Sequence, residues 1–128
     1  MQINGYHHIG LIVEDVERSL KFYVDGLGGK EIFSFPMGST GKTIHMVDLG
    51  GNAVVEILPR GTEEAEANAR WAHICLATDD TRNAYAQALE AGAISRTEPR
   101  DGSHGERGMC NAFVFGPDNE IIEFYQTK

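Results

Sequence analysis

The sequence predicts an α+β fold built from two copies of one pattern, each copy a strand, a helix and three further strands. Three observations carry this. The chain of 128 residues suits one compact domain, or two small half-domains that share a core. It repeats itself: His8-Ile9-Gly10-Leu11-Ile12-Val13-Glu14-Asp15 lies over His73-Ile74-Cys75-Leu76-Ala77-Thr78-Asp79-Asp80 at an offset of 65, and Val47, Asn52 and Glu56 lie over Val114, Asn119 and Glu123 at an offset of 67. Within each copy, apolar residues change from period two to helical spacing and back to period two.

In the first copy, Tyr6 to Val13 alternates, with Ile9, Leu11 and Val13 on one face and Tyr6, His8, Gly10 and Ile12 on the other. Asp15 is a helix N-cap, Val16, Leu20, Tyr23 and Leu27 form the apolar stripe, and Gly28-Gly29 ends the helix. Strands follow near Lys30 to Phe35, Thr43 to Leu49 and Ala53 to Leu58, with Gly50-Gly51-Asn52 turning between the last two. The polar, acidic stretch Arg60 to Ala67 reads as an exposed linker, so module 1 covers about 1–60, the linker 61–70 and module 2 about 71–128. In the second copy Asp80 is the cap, Ala84, Tyr85, Ala88 and Leu89 the stripe, and Gly92 the stop. Its strands lie near Ile94 to Thr97, Asn111 to Phe115 and Glu120 to Tyr125, with a turn at Gly116-Pro117-Asp118-Asn119. The Gly-rich, charged segment Glu98 to Gly108 is read as a binding loop or lid, or else as a hairpin tip.

Composition narrows the functions. A chain that is 41% hydrophobic and 23% charged can bury a core. Its net charge of −8 repels nucleic-acid phosphates and anionic membranes, and no Lys/Arg cluster offsets it, so neither is an expected partner. The apolar runs are too short to span a bilayer, and a cytoplasmic location is expected. Cys75 and Cys110 have no CxxC spacing and no basic neighbour, and are expected to be ordinary core or wall residues.

The chemistry is carried by two glutamates. Glu56 stands in Val54-Val55-Glu56-Ile57-Leu58 and Glu123 in Ile121-Ile122-Glu123-Phe124-Tyr125, each in the middle of an apolar strand. Burying an unpaired carboxylate costs several kcal/mol or more, so each requires a cation or dense hydrogen bonding. No Lys or Arg recurs at matching positions, but His8 and His73 do, 48 residues before Glu56 and 50 before Glu123. Two imidazoles and two carboxylates make an N2O2 set suited to one divalent ion, Zn, Ni, Co, Mn or Fe, if the two halves bring them to one point. His45, alternating with Ile44 and Met46, is a candidate for the cavity lining. His7, on the opposite face from His8, is read as a packing or surface residue, and His104 as exposed.

These residues resemble the vicinal oxygen chelate superfamily, which includes glyoxalase I, methylmalonyl-CoA epimerase, extradiol dioxygenases, fosfomycin-resistance transferases and bleomycin-binding proteins. The similarity runs nearly end to end, on His8-Ile-Gly-Leu-Ile-Val-Glu-Asp-Val with Ser19-Leu-Lys-Phe-Tyr, Val54-Val-Glu56, Ala72-His73-Ile, and Gly116-Pro-Asp-Asn with Ile122-Glu123-Phe. The resemblance implies paired βαβββ modules forming an open, cupped β-barrel, helices outside, around one metal. A Glu at position 56 resembles the four-ligand glyoxalase and epimerase branches, which implies a metal-dependent isomerase or lyase that moves a proton next to a carbonyl through a metal-stabilised enediolate. Glu123 is the first choice as the base and Glu56 the second. The competing readings are an acyl-CoA epimerase or dioxygenase of the same fold, and a non-catalytic small-molecule binder. Arg60, His45 and Trp71 are expected to touch the small-molecule substrate, and a homodimer is expected. Two positions depart from the glutathione-using glyoxalases: Ile12 stands where those have Arg, and Arg60 where they have Asn.

Overall fold

A computed structural model describes residues 8–60, 73–104 and 107–128. The elements run β1 (Ile9–Val13), α1 (Val16–Leu20), a π-helical segment (Lys21–Gly26), β2 (Lys30–Pro36), β3 (Thr43–Asp48), β4 (Val54–Pro59), β5 (Ile74–Ala77), α2 (Thr81–Glu90), β6 (Ile94–His104), β7 (Arg107–Phe115) and β8 (Ile121–Thr127). The chain divides into two compact units, 1–66 and 67–128, each a βαβββ arrangement with its own four-stranded sheet. Strand order is β1-β4-β3-β2 in the first unit and β5-β8-β7-β6 in the second.

Each sheet is open and mixed. The first strand of a unit pairs in parallel with the last, through a register that sets Gly10 beside Glu56 and Cys75 beside Glu123. The remaining pairs are antiparallel. Alternation then decides what each face carries. Val13, Val47, Val55 and Ile57 are buried on one face of the first sheet, and Ala112, Val114, Ile122 and Phe124 on the matching face of the second. The opposite faces carry Glu56 and Glu123.

The helices start where side chains satisfy their first free amides. The Asp15 carboxylate accepts from Arg18 N and that of Asp80 from Asn83 N, both at 3.0 Å. The first helix departs from the expected stripe. It is α-helical only over Val16–Leu20 and then widens, with Leu27 N bonding to Phe22 O at 2.9 Å, an i→i+5 contact. The extra residue in the turn moves the buried face to Ser19, Phe22 and Tyr23, while Leu20 and Leu27 are only partly covered. The turns before β4 and β8 place Asn52 (φ 65°) and Asn119 (φ 62°) in the left-handed region at matching positions, and Asn tolerates that conformation.

The segment Glu98 to Gly108 follows the hairpin alternative and not the binding loop or lid. β6 and β7 continue through it as an antiparallel ladder pairing Arg100 with Asn111, Asp101 with Cys110 and His104 with Arg107. There are two register shifts, between Ser95 and Thr97 and between Thr97 and Arg100, and the second absorbs Pro99, which cannot donate to a ladder. No helix among the described residues is long and apolar enough to cross a membrane.

Candidate functional site

His8 and His73 each stand immediately before the first strand of a unit, on the face that alternation shares with Gly10 or Cys75. Because those two residues pair with Glu56 and Glu123, each imidazole reaches a carboxylate. His8 Nε2 lies 3.7 Å from Glu56 Oε2, and His73 Nε2 lies 3.0 Å from Glu123 Oε2. The same two atom types meet in both units.

The surroundings differ. Glu123 is the more buried residue, at 7% exposure, and its Oε1 accepts a 3.0 Å hydrogen bond from Asn111 Nδ2. The amide oxygen of Asn111 in turn accepts from Arg100 Nε at 3.4 Å. The Cys75 thiol donates to Glu123; shielding from water, and then the Glu123 charge, push its pKa up to about 12. Phe113 meets the His73 ring edge-on at 5.9 Å and carries the Arg96 guanidinium over its own face at 5.4 Å. Among the described residues, the Glu56 carboxylate has His8 as its one polar side-chain partner.

The donors fit a divalent cation. Metal–N and metal–O bonds of about 2.0–2.2 Å place neighbouring donors about 2.9–3.4 Å apart; the 3.0 Å His73–Glu123 contact lies in that range and the 3.7 Å His8–Glu56 contact above it. Imidazole and carboxylate also suit the first-row divalent metals. Among the described residues no three His, Cys, Asp or Glu side chains gather into a group able to hold a metal, so the donor set within each unit is the pair.

A profile of the Glyoxalase/Bleomycin resistance protein/Dioxygenase superfamily matches residues 5–124. The chain belongs to this superfamily. It is 31% identical over 125 residues to a protein of Synechocystis named as a probable lactoylglutathione lyase, covering 94% of both chains. Among solved structures it resembles TioX from Micromonospora (TM-score 0.75, 17% identity, 98% of this chain and 100% of that one). It also resembles a glyoxalase I variant from Zea mays (TM-score 0.71, 21% identity), with 93% of this chain covering 43% of the maize chain.

Other residues expected at the superfamily site fall elsewhere. His45 belongs to the opposite face of its sheet from Glu56, because Met46 is the residue of β3 that pairs with Glu56. Its Nδ1 meets Glu31 Oε1 at 2.5 Å. A groove of about 600 Å³ beside α1, lined by Asp15, Arg18, Lys21 and Glu31 among others, likewise contains neither His–Glu pair. Arg60 is exposed just beyond β4, where its N–H bonds to Val13 O and its carbonyl accepts from Lys42 Nζ. Trp71 and His7 lie outside the described residues, as do most of the expected linker and the side chain of His104. Cys110 is buried as expected, whereas Cys75 is exposed and engaged with Glu123. Asn111 and Arg100 were not singled out by sequence. The available signal was that Asn111 is the one polar side chain in Asn111-Ala112-Phe113-Val114-Phe115, on the face of Phe113, the partner of Glu123.

Proposed function

We propose that the protein is a divalent-metal-dependent isomerase or lyase that moves a proton from a carbon next to a carbonyl, with His8, Glu56, His73 and Glu123 as the ligands of one cation. The observation that carries this is the matched His Nε2–Glu Oε2 contact in each unit, 3.7 Å in one and 3.0 Å in the other. A carboxylate set in an apolar strand beside an imidazole is well neutralised by a cation that both groups hold. The name of the Synechocystis relative supports a reaction of the lactoylglutathione lyase kind, while Ile12 and Arg60 argue for a substrate other than a glutathione adduct.

When bound, the cation supplies a Lewis acid for the charge that develops on the substrate's oxygens. The chain's own part is to fix the ligands and to move the proton. One glutamate takes it from the carbon and returns it to the neighbouring carbon.

The test measures metal content and proton exchange together. Purified protein is expected to hold one divalent ion per chain and to exchange the α-proton of a hemithioacetal or an acyl thioester with D2O. His73→Ala is expected to lose both. Equal metal content in parent and variant would remove His73 from the site, and metal without exchange would favour a binding protein.

A further inference from the structure

In the second unit, the sheet face that carries Glu123 also carries two arginines. Phe113 pairs with Glu123 and so shares its face, and Asn111, two residues earlier in β7, shares it too. The Arg96 guanidinium lies over the Phe113 ring, 5.4 Å from its centroid, and the same ring meets the His73 imidazole at 5.9 Å. Arg100 Nε donates to Asn111 Oδ1 at 3.4 Å. The two guanidinium groups are thus anchored beside the His73–Glu123 pair, on residues about 7 Å apart along one strand. Both arginines are exposed, and among the described residues neither has a carboxylate partner. Arg82, by contrast, is tied to Asp101.

The first unit shows that the fold does not require these cations. Each sheet has the same bulge in its edge strand: the register skips Ile32 between Glu31 and Phe33, and Arg96 between Ser95 and Thr97. Ile44 pairs with Phe35, and Asn111, at the equivalent place of the repeat, pairs with Arg100. The positions of Ile32 and Phe35 in one unit are therefore those of Arg96 and Arg100 in the other. A bulge takes its extra residue out of the regular alternation, and here it aims Arg96 at the face of Phe113. A contact with the ring face holds the guanidinium without using its N–H donors. Guanidinium can only donate, and its planar fork matches two oxygens of a carboxylate or phosphate. In a chain of net charge −8, two such groups on one face with no carboxylate partner are complementary to an anion from outside.

We propose that Arg96 and Arg100 form a recognition site, contained within the second unit, for a carboxylate or phosphate group carried by the small molecule this protein binds. As a substrate subsite it rests on the function proposed above and narrows the substrate to a carbonyl compound with a separate acidic group. As an anion site it stands without that function.

The test uses malonate and inorganic phosphate as probes on the full-length chain at low salt, with binding read from the arginine Nε–Hε signals in 1H–15N spectra. At least one probe is expected to shift the Arg96 and Arg100 signals saturably, and the tighter one names the group. Arg96→Gln and Arg100→Gln are each expected to weaken binding by about tenfold, as loss of a charge-assisted hydrogen bond does. Arg96→Lys keeps the charge without the fork and is expected to lose several-fold. Lys128→Gln controls for charge alone. Lys128 contacts Asp101, whose strand partner Cys110 lies on the opposite face of the same sheet, so this variant is expected to bind as the parent does. In D2O exchange, an acyl thioester carrying the tighter-binding group is expected to show KM raised about tenfold in Arg96→Gln with kcat unchanged, while its methyl ester shows no change. Arginine signals that move with neither probe, or a loss in Lys128→Gln equal to that in the arginine variants, overturn the site. Probe binding that the arginine variants lose, in a chain that exchanges no proton on any substrate, keeps the anion site and removes the reaction. Exchange with the same KM in parent and arginine variants keeps the reaction and removes the subsite.

Discussion

Asp101 receives a 2.7 Å contact from Arg82 Nη2 and a 2.8 Å contact from Lys128 Nζ, and these hydrogen bonds hold its carboxyl well below the usual range. A depressed folded-state pKa stabilises the protein above the unfolded value, and the benefit is lost as pH falls through the folded value. Asp101→Asn is therefore expected to lower Tm at neutral pH by a small amount, since all three groups are half-exposed, and the gap from the parent is expected to close as pH is taken below about 4. A gap that stays constant in thermal melts down to strongly acid pH would show the trio to be idle. Cys75 has the opposite sign. With its pKa pushed up to about 12 by burial and then by Glu123, it stays a thiol at neutral pH. In metal-free protein, alkylation by iodoacetamide at pH 8 is expected to be more than about tenfold slower than for an unperturbed cysteine, whose pKa is near 8.5. Glu123→Gln is expected to speed it, and an unchanged rate would remove the Glu123 contact as the cause. The pairing of one histidine with one glutamate in each unit was legible in sequence because a carboxylate among Val and Ile is costly and the repeat gave it twice. Asn111 was not, because a polar residue heading a strand is ordinary until its partner is known.

At the scale of elements, alternation made the strand faces legible, while the backbone's own irregularities were not. Ile9, Leu11 and Val13 read correctly as one face, since period two leaves a side chain only two directions. The widened turn after α1 has no residue signature, as an i→i+5 bond is made by backbone that any of Lys21 to Gly26 can supply. The extension of β6 was hidden by Gly102, Pro99 and three charged residues, Glu98, Arg100 and Asp101, that resemble a loop when the bulge absorbing Pro99 is unseen. The packing of that widened helix is testable at Gly29. A Cβ there would lie 2.6 Å from Tyr23 O and 2.9 Å from Val47 Cγ1, and Tyr23 O is also the acceptor for Gly29 N. Gly29→Ala is expected to destabilise by about 1–3 kcal/mol, the usual cost of forcing atoms into a filled space. Removing a cap with Asp80→Ala is expected to cost about 1 kcal/mol. Urea melts give both numbers, and a smaller loss at Gly29 than at Asp80 would mean the π-helical segment shifts freely to make room.

At the scale of the molecule, the repeat is the most legible feature, and its consequence is thermodynamic. Each unit has its own sheet, its own helix and one His–Glu pair, and neither pair is a sufficient ligand set for tight binding alone. On the function proposed above, one cation draws donors from both units and so stabilises the folded chain by mass action. At a free metal concentration one hundred times Kd the gain is about 2.7 kcal/mol. For a chain of this size each kcal/mol raises Tm by roughly 3–6 °C, so the metal-loaded protein is expected to melt about 8–16 °C above the chelator-treated one. The histidine variants then separate a shared cation from two independent weak ones. If one ion is gripped by all four groups, His8→Ala and His73→Ala each abolish most of the shift, and the double variant adds little further. If each pair binds separately, each single variant keeps about half of it and the losses add. A scan of these four proteins with and without Zn2+ or Co2+ distinguishes the two cases, and a shift unaffected by either histidine would place the metal outside both pairs.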